Sequence, residues 1–287
     1  MTKEMKSRGE TAVKKVRNIQ FFRDPAIRGV EISKVTSSRH VFPKHTHDDI
    51  YAFSLITSGA SYCIGKENTD LTVHQGDIVL LNPGQVHSGI PLDGHPMSYW
   101  MLYADISAVS DIAGDMFQQQ GLLPEFRQMI ISSPRIAGHF RNLLTAYETR
   151  CESIKKEMLL TEFLGHLFHH ACDTRPAAAD LSSCQNHTID LAKDVLSENL
   201  DIGMTLETVA RKIGLSRFHF IRQFKKHTGV SPHQFRIQRR IEAAKGLIRS
   251  GLPFSEIALE TGFSDQSHFT NKFRHYTGAT PSQYARQ

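Results

Sequence analysis

Two segments in the last hundred residues repeat one another. Leu206 to Phe235 reads LETVARKIGLSRFHFIRQFKKHTGVSPHQF, and Phe254 to Tyr284 reads FSEIALETGFSDQSHFTNKFRHYTGATPSQY. With one residue inserted in the second copy after its glycine-containing turn, Ala210 aligns with Ala258, Gly214 with Gly262 and Ser216 with Ser264. Phe220, Phe224, Gly229 and Pro232 then align with Phe269, Phe273, Gly278 and Pro281. Two copies are too few for a solenoid, which needs three or more. Each copy is instead a small unit with its own logic. Leu206, Val209, Ala210 and Ile213 recur at helical spacing on one face, and Gly214 can end that helix in the left-handed conformation. Ser216 is placed to cap a second helix whose Phe220 and Phe224 point back to the core. Gly229 ends that helix, and Ser231-Pro232 opens a third with Ser as N-cap and Pro at the first position. A small residue where two helices cross, a Gly turn and an exposed second helix are the grammar of a helix-turn-helix.

The helix between the copies spans about Pro232 to Arg249, with Ile237, Ile241, Ala244 and Ile248 as an apolar stripe and Arg236, Arg239 and Arg240 off it. At ~1.5 Å per residue it is roughly 27 Å long, close to the ~34 Å that separates recognition helices one duplex turn apart. Charge follows the repeat. Residues 188–287 hold 15 Lys and Arg against 9 Asp and Glu, a net +6, while the first 187 hold 19 against 20, a net −1. Between Arg211 and Arg249, 11 basic residues face a single acid, Glu242. Such a basic segment points to an anionic partner.

These hundred residues resemble the DNA-binding domain of the AraC/XylS family of bacterial transcription regulators, most closely in GFSDQSHFTNKFRHYTGATPSQY. The resemblance implies a domain of helices with two helix-turn-helix units in adjacent major grooves on one face of double-stranded DNA. Removing the apolar positions leaves Arg217, Phe218, Ile221 and Arg222 exposed on the first recognition helix, about Arg217 to Thr228. On the second, about Asp265 to Thr277, it leaves Gln266, Ser267, Thr270 and Asn271. Arg pairs bidentately with guanine, and Asn or Gln with adenine. Lys225, Lys226, Lys272 and Arg274 lie further along and suit phosphates, which set affinity more than sequence. By resemblance, Phe218, Arg222, Ser267 and Asn271 occupy base-contacting positions. Many relatives carry Arg where this chain has Asn271, which leaves the second half-site preference open.

From Phe21 to Asp105 the pattern turns to β. Glu31 to Thr36, Ile50 to Thr57, Ser61 to Ile64, Leu71 to Val73, Asp77 to Leu81 and Ser98 to Ala104 read as short strands between Gly, Asn and Pro turns. Many short strands suggest a barrel or jelly roll. His45-Thr46-His47 places two imidazoles on one side of a strand. With the stretch Gly76-Asp77 to Asn82-Pro83-Gly84-Gln85-Val86-His87, it resembles the two motifs of cupin barrels and the ligand-binding cupin of AraC-type regulators. Three histidines can hold a divalent metal. Metal-binding cupins add a Glu shortly after the paired histidines, where this chain has Tyr51 and Ala52, and begin the second motif with Pro, where it has Asn82. The expectation is therefore no metal and no cofactor, with His45, His47 and His87 as candidates if one binds. The expected small-molecule effector pocket is lined by His45, His47, Tyr51, His87 and Tyr99, while His74 and His95 read as hydrogen-bonded core residues. Tyr99, Met101 and Tyr103 share one face of the last strand and Trp100 and Leu102 the other, and the sequence leaves open which is inside.

After Asp111 the spacing is helical. Ile136, Phe140, Leu143, Leu144 and Tyr147 form one stripe, and Met158, Leu159, Phe163, Leu167 and Phe168 a second. In the family such a pair often joins two copies, and packing on the barrel serves equally well. The expected organisation is a flexible tail over 1–17, a cupin-like effector-binding domain over 18–110, and helices for barrel packing and dimerisation over 111–172. A linker over 173–187 and the DNA-binding domain over 188–287 follow. The fold class is two-domain α+β: a β-barrel or jelly-roll cupin with following helices, then an all-α domain with two helix-turn-helix units. The expected protein is a cytoplasmic, homodimeric, effector-controlled transcription regulator, by resemblance an activator that works through RNA polymerase, and is not an enzyme. Cys63, Cys151, Cys172 and Cys184 are scattered, as suits reduced thiols, and no apolar run approaches a membrane span. Two alternatives remain: a metal-dependent cupin enzyme fused to a DNA-binding domain, and a ligand-independent DNA-binding regulator.

Overall fold

The computed structural model describes residues 19–64, 70–173, 183–198, 200 and 204–286. The tail expected over 1–17 lies outside the described residues, as do 174–182 of the expected linker. The N-terminal half is built on two sheets. Strands β1 (Ile19–Phe22), β2 (Val30–Ser38), β3 (Phe42–His45), β4 (Ile50–Ser58), β5 (Ser61–Ile64), β6 (Asp70–Val73), β7 (Ile78–Leu81), β8 (His87–Pro91) and β9 (Met97–Asp105) lead to helix α1 (Ile106–Phe117). Short strands β10 (Glu125–Phe126) and β11 (Ile130–Ile131) precede α2 (Pro134–Glu148) and α3 (Ser153–Ala171), and β12 (Cys172–Asp173) pairs back on β10. One sheet runs β1-β2-β9-β4-β7-β11 and the other β3-β8-β5-β6. Neighbouring strands are antiparallel throughout the larger sheet.

Strand alternation divides the larger sheet into two cores. Tyr51, Phe53 and Leu55 of β4 join Trp100 and Leu102 of β9 on the face covered by α2 and α3, where Phe140 stacks on Phe163 with ring centroids 4.3 Å apart. Ser133 caps α2 through the Ile136 amide, with Pro134 in the first turn. Helices α2 and α3 therefore pack on the sheet. Met158, expected in their apolar stripe, is 66% exposed, because it falls on the outer face of α3. Helix α1 starts at Ile106, ahead of the expected Asp111, since strand β9 hands over directly to it.

The C-terminal half holds α4 (Ser183–Glu198), α5 (Leu206–Lys212), α6 (Arg217–Thr228), α7 (Pro232–Arg249), α8 (Phe254–Glu260), α9 (Gln266–Thr277) and α10 (Pro281–Ala285). Helix α4 begins inside the expected linker, so residues 183–187 are helical. The repeat persists at the level of contacts. Phe220–Phe224 and Phe269–Phe273 are both edge-on pairs with centroids 5.6 Å apart. Gly229 and Gly278 end α6 and α9 with φ of 74° and 75°. Capping boxes formed by Ser231 with Gln234 and by Thr280 with Gln283 start α7 and α10. One cap departs from the alignment. The residue inserted in the second copy makes Asp265, not Ser264, the acceptor for the His268 amide at 2.8 Å.

The inner face of the larger sheet and the C-terminal helices share one core. Phe21, Val35, Ala52, Leu81 and Tyr99 pack with Ile237, Ile241, Phe269, Phe273 and Tyr284. Polar contacts cross the same seam. The Thr46 amide donates to Gln238 Oε1 at 3.1 Å, Arg239 Nη2 to Asp49 Oδ2 at 2.7 Å, and the Tyr284 hydroxyl to Glu31 Oε2 at 2.7 Å.

Candidate effector chamber and DNA-reading face

A chamber of about 90 Å³ lies in the barrel, lined by Ser54, Val79, His87, Met97, Tyr99 and Tyr276 among others. Beside it a smaller recess of about 30 Å³ is walled by Glu31, Ser33, His47 and Tyr103 from the barrel and by Gln238, Glu242 and Lys245 from α7. Phe42, His45, Tyr99, Tyr103 and Tyr276 line both spaces, so they are neighbouring parts of one interior. Its roof is the C-terminal half, through α7 and the end of α9. Strand β9 settles the choice of face: Tyr99, Met101 and Tyr103 look into the chamber, and Trp100 and Leu102 look toward α2 and α3.

Of the five expected pocket residues, the structure gathers four. His45 and His87 are buried at the paired ends of β3 and β8, and His47 follows just beyond β3. Ring centroids are 4.1 Å apart for His45–His87, 5.0 Å for His45–His47 and 5.3 Å for His47–His87. Tyr99 is buried alongside. Tyr51 is the exception. It sits on the opposite face of β4, where its hydroxyl donates to the Pro124 carbonyl at 2.8 Å and its ring stands edge-on to Phe126. The reason is register: Ala52, Ser54 and Ile56 point inward, so Tyr51 points outward.

His45 and His87 each hold Nδ1 within hydrogen-bond reach of a carbonyl, while His47 Nδ1 is buried and makes no hydrogen bond among the described residues. His45 Nδ1 lies 2.7 Å from the Pro43 carbonyl, His87 Nδ1 3.0 Å from the Gln85 carbonyl, and His47 Nδ1 3.5 Å from Glu242 Oε1. One nitrogen from each ring lies within 4.8 Å of the others. Burial, reinforced by the neighbouring imidazoles, holds His45 well below its ordinary pKa and pushes His87 down to about 3. Both rings are thus neutral at physiological pH. Glu242 Oε1 also accepts from Lys245 Nζ at 3.0 Å. Burial alone would raise the Glu242 carboxyl, but Lys245 and His47 hold it below its usual range. Burial pushes the Tyr103 phenol up to about 12.

Glu242, Lys245, Gln238, Tyr103 and Tyr276 are lining residues that the sequence reading did not single out. One signal was present: Glu242 is the lone acid in a stretch of 11 basic residues. In the structure that acid accepts from Lys245 Nζ and lies 3.5 Å from His47 Nδ1.

In the C-terminal half, Arg217, Arg222, Lys225 and Lys226 of α6 are exposed and Ile221 is half-buried. Phe218 is on the first turn of α6, and its side chain lies outside the described set. On α9, Gln266, Ser267, Asn271 and Arg274 are exposed and Thr270 and Lys272 half-buried. The candidate base- and phosphate-contacting residues of each helix therefore sit together on its outer side. The basic residues of α7 do not join them. Arg236 donates to the Met204 carbonyl, Arg239 to Asp49, Arg240 to the Leu200 carbonyl, Lys245 to Glu242 and Arg249 to the Tyr284 hydroxyl. Charge on α7 is used in packing, while α6 keeps Arg217, Arg222, Lys225 and Lys226 exposed.

A second histidine cluster, His139 of α2 with Glu162 and His166 of α3, lies at the outer surface. Among the described residues no helix is long and apolar enough to cross a membrane.

Residues 29–164 match the family model of the AraC-like ligand binding domain, and residues 209–287 that of a helix-turn-helix domain. The TetD protein of transposon Tn10 from Escherichia coli is 40% identical over 106 residues, which cover 36% of this chain and 76% of that protein. The raffinose operon transcriptional regulatory protein RafR of Pediococcus pentosaceus is 26% identical over 243 residues, 82% of this chain and 84% of that protein. The crystal structure of ToxT from Vibrio cholerae O395, bound to (E)-4-(8-methylnaphthalen-1-yl)but-3-enoic acid, superposes with a TM-score of 0.58. It is 14% identical and covers 94% of this chain and 98% of that one, so the two share a fold. With its ligand-binding barrel followed by a DNA-binding pair of helix-turn-helix units, the chain belongs to the AraC family of transcription regulators.

Proposed function

We propose that a small-molecule effector enters the chamber and controls DNA binding by shifting α7 and α9 against the barrel. The observation that carries this reading is the shared wall: His45, His47, Tyr99 and Tyr103 face Gln238, Glu242, Lys245 and Tyr276 across one interior. A chamber of about 90 Å³ is small beside the roughly 300–1,000 Å³ of ordinary ligand pockets. A sugar-sized or bicyclic molecule fits only if the helical roof lifts. Its binding energy is then partly spent on separating the two halves, which gives it the differential affinity for two states that regulation requires. The reading assigns no catalysis to the chamber.

In this reading Arg217, Ile221, Arg222, Gln266, Ser267, Thr270 and Asn271, with Phe218, face base edges, and Lys225, Lys226, Lys272 and Arg274 face phosphates. The two helix-turn-helix units bind unequally, because the second, Phe254 to Tyr284, has Lys272 and Arg274 set against Glu256, Glu260 and Asp265. The working form is a cytoplasmic homodimer that contacts RNA polymerase. Ile154 and Met158, each 66% exposed on α3, support a contact between copies there. A thermal-shift screen of metabolites, followed by footprinting with and without each hit, tests the reading. An effector that raises the melting temperature and alters protection of one half-site is expected. Salt-sensitive protection that is equal at both half-sites and unmoved by every hit sinks it.

A further inference from the structure

We propose that His139 of α2 with Glu162 and His166 of α3 binds one divalent transition-metal ion, which ties the two helices together at their outer surface. Each residue offers one ligand atom, and the three atoms lie within 4.8 Å of one another. Glu162 and His166 stand four residues apart, so they are neighbours on one face of α3. His139 meets them from α2, with its ring centroid 4.0 Å from that of His166. The scaffold beneath is fixed, because Phe140 and Phe163, each next in sequence to a ligand, are fully buried and stacked on one another.

The contact between His139 and Glu162 is not that of an ordinary ion pair. His139 Nδ1 lies 3.1 Å from Glu162 Oε1, yet this buried nitrogen makes no hydrogen bond among the described residues. The two atoms are close enough to share a proton but lack the alignment that sharing needs. Two ligands of one ion have this relation, since each aims at a third point and not at the other. Tetrahedral bonds of about 2.05 Å place ligand atoms about 3.3 Å apart, near the spacing seen here. A buried imidazole nitrogen without a partner is unfavourable, and a bound ion removes that penalty.

The donor set specifies the class of ion. Two imidazoles and a carboxylate suit zinc, cobalt, nickel or iron rather than calcium or magnesium, which prefer oxygen alone. Three protein ligands of this kind leave a fourth position for water, and Glu162 is exposed, so that position opens to solvent. Glu162 neutralises part of the ion's charge. Arg135, one turn before His139, opposes it, since its charge acts on His166. Arg135 is itself exposed, so salt screens its repulsion, whereas the carboxylate bonds the ion directly. The site stands without the effector reading and shares no residue with the barrel histidines.

The test uses the full chain, stripped with chelator and titrated with zinc chloride by calorimetry, with amide exchange measured before and after loading. One equivalent of zinc is expected to depend on this cluster. His139→Ala and His166→Ala each weaken it by more than about 100-fold, and Glu162→Gln by at least about tenfold. His87→Ala, in the barrel, leaves that equivalent in place. Loading slows exchange in α2 and α3 of the wild type and does not in His166→Ala. Circular dichroism checks that each variant folds; if His139→Ala does not, Glu162→Gln, at an exposed position, carries the comparison. A zinc isotherm unchanged in both His166→Ala and Glu162→Gln overturns the site, as does zinc binding that His87→Ala abolishes entirely. Loading that leaves exchange in α2 and α3 unchanged overturns the tie between the helices.

Discussion

The Tyr284 hydroxyl on α10 donates to Glu31 Oε2 on β2 at 2.7 Å, while the Arg23 guanidinium lies 4.3 Å over the Tyr284 ring. Burial, then the Glu31 charge, pushes the Tyr284 phenol up to about 12, so it stays protonated and keeps donating. A hydrogen bond to a charged partner contributes about 1.5–3 kcal/mol. Tyr284→Phe keeps the ring's contacts with Phe21 and Phe273 and removes only the donor. We expect faster amide exchange in β1, β2 and α10, with exchange in the α2–α3 pair unchanged. Identical exchange throughout would mean that this bond does not hold the halves together.

Gly229 has φ of 74°, and a Cβ built there would stand 2.7 Å from Val86 Cγ2. Gly214 has nearly the same φ, 70°, with open space beyond it. Gly214→Ala therefore measures the backbone penalty alone, about 1 kcal/mol. Gly229→Ala adds a clash across the domain seam and should cost more, by about 1–3 kcal/mol. Pairing it with Val86→Ala should recover part of the excess. Equal melting temperatures for Gly214→Ala and Gly229→Ala would contradict a tight seam at Val86.

Arg222 is exposed on α6, beside Ile221, Lys225 and Lys226. Arg222→Ala should weaken specific operator binding by about 1–3 kcal/mol and relax one base position. Lys226→Ala should weaken all sequences alike and reduce the salt slope. Gel shifts at several salt concentrations separate the two, and unchanged specificity in Arg222→Ala would remove it from the base contacts.

Asp24 accepts from Lys156 Nζ at 2.7 Å and from Ser153 Oγ at 2.9 Å, tying the turn after β1 to α3. Lys156, ahead of smaller contributions from the Ala26 amide and Ser153, holds the Asp24 carboxyl below its ordinary range. A carboxyl with a depressed folded pKa contributes stability that is fully present above its unfolded value, about 3.9. That contribution fades as pH falls through the folded value. Asp24→Asn should therefore be less stable than wild type at pH 7, and the difference should shrink below about pH 4. A difference that stays constant with pH would mean that Asp24 acts without its charge.

The helical half was largely legible because its signals are local. The spacing of Ser216, Phe220, Phe224 and Gly229 states where α6 starts, which side it buries and where it stops. The bounds of α7 followed from Ser231-Pro232 and Gly251 in the same way. Strands β1, β3 and β8 were not legible, because short strands with mixed burial depend on partners distant in sequence. His87 belongs to β8 only through its pairing with His45. Tyr51 was misplaced because alternation fixes which residues share a face but not which face is inside, and His74 and His95, expected in the core, are exposed because both lie in turns outside the strands. Glu242 and Lys245 were invisible as pocket residues because α7 was read against DNA, and nothing local says that a basic helix turns its charges inward.

Gly229 and Gly278 occupy equivalent places in the two copies, each ending a recognition helix, and each meets the barrel: Gly229 at Val86 and Gly278 at Phe42. Both contacts fall on one pair of neighbouring strands: Phe42 opens β3, and Val86 immediately precedes β8, which pairs with β3. In the proposed reading, a shift of that strand pair is felt at the ends of α6 and α9 together, so the barrel resets the spacing of the two helices without touching the face that either turns to DNA.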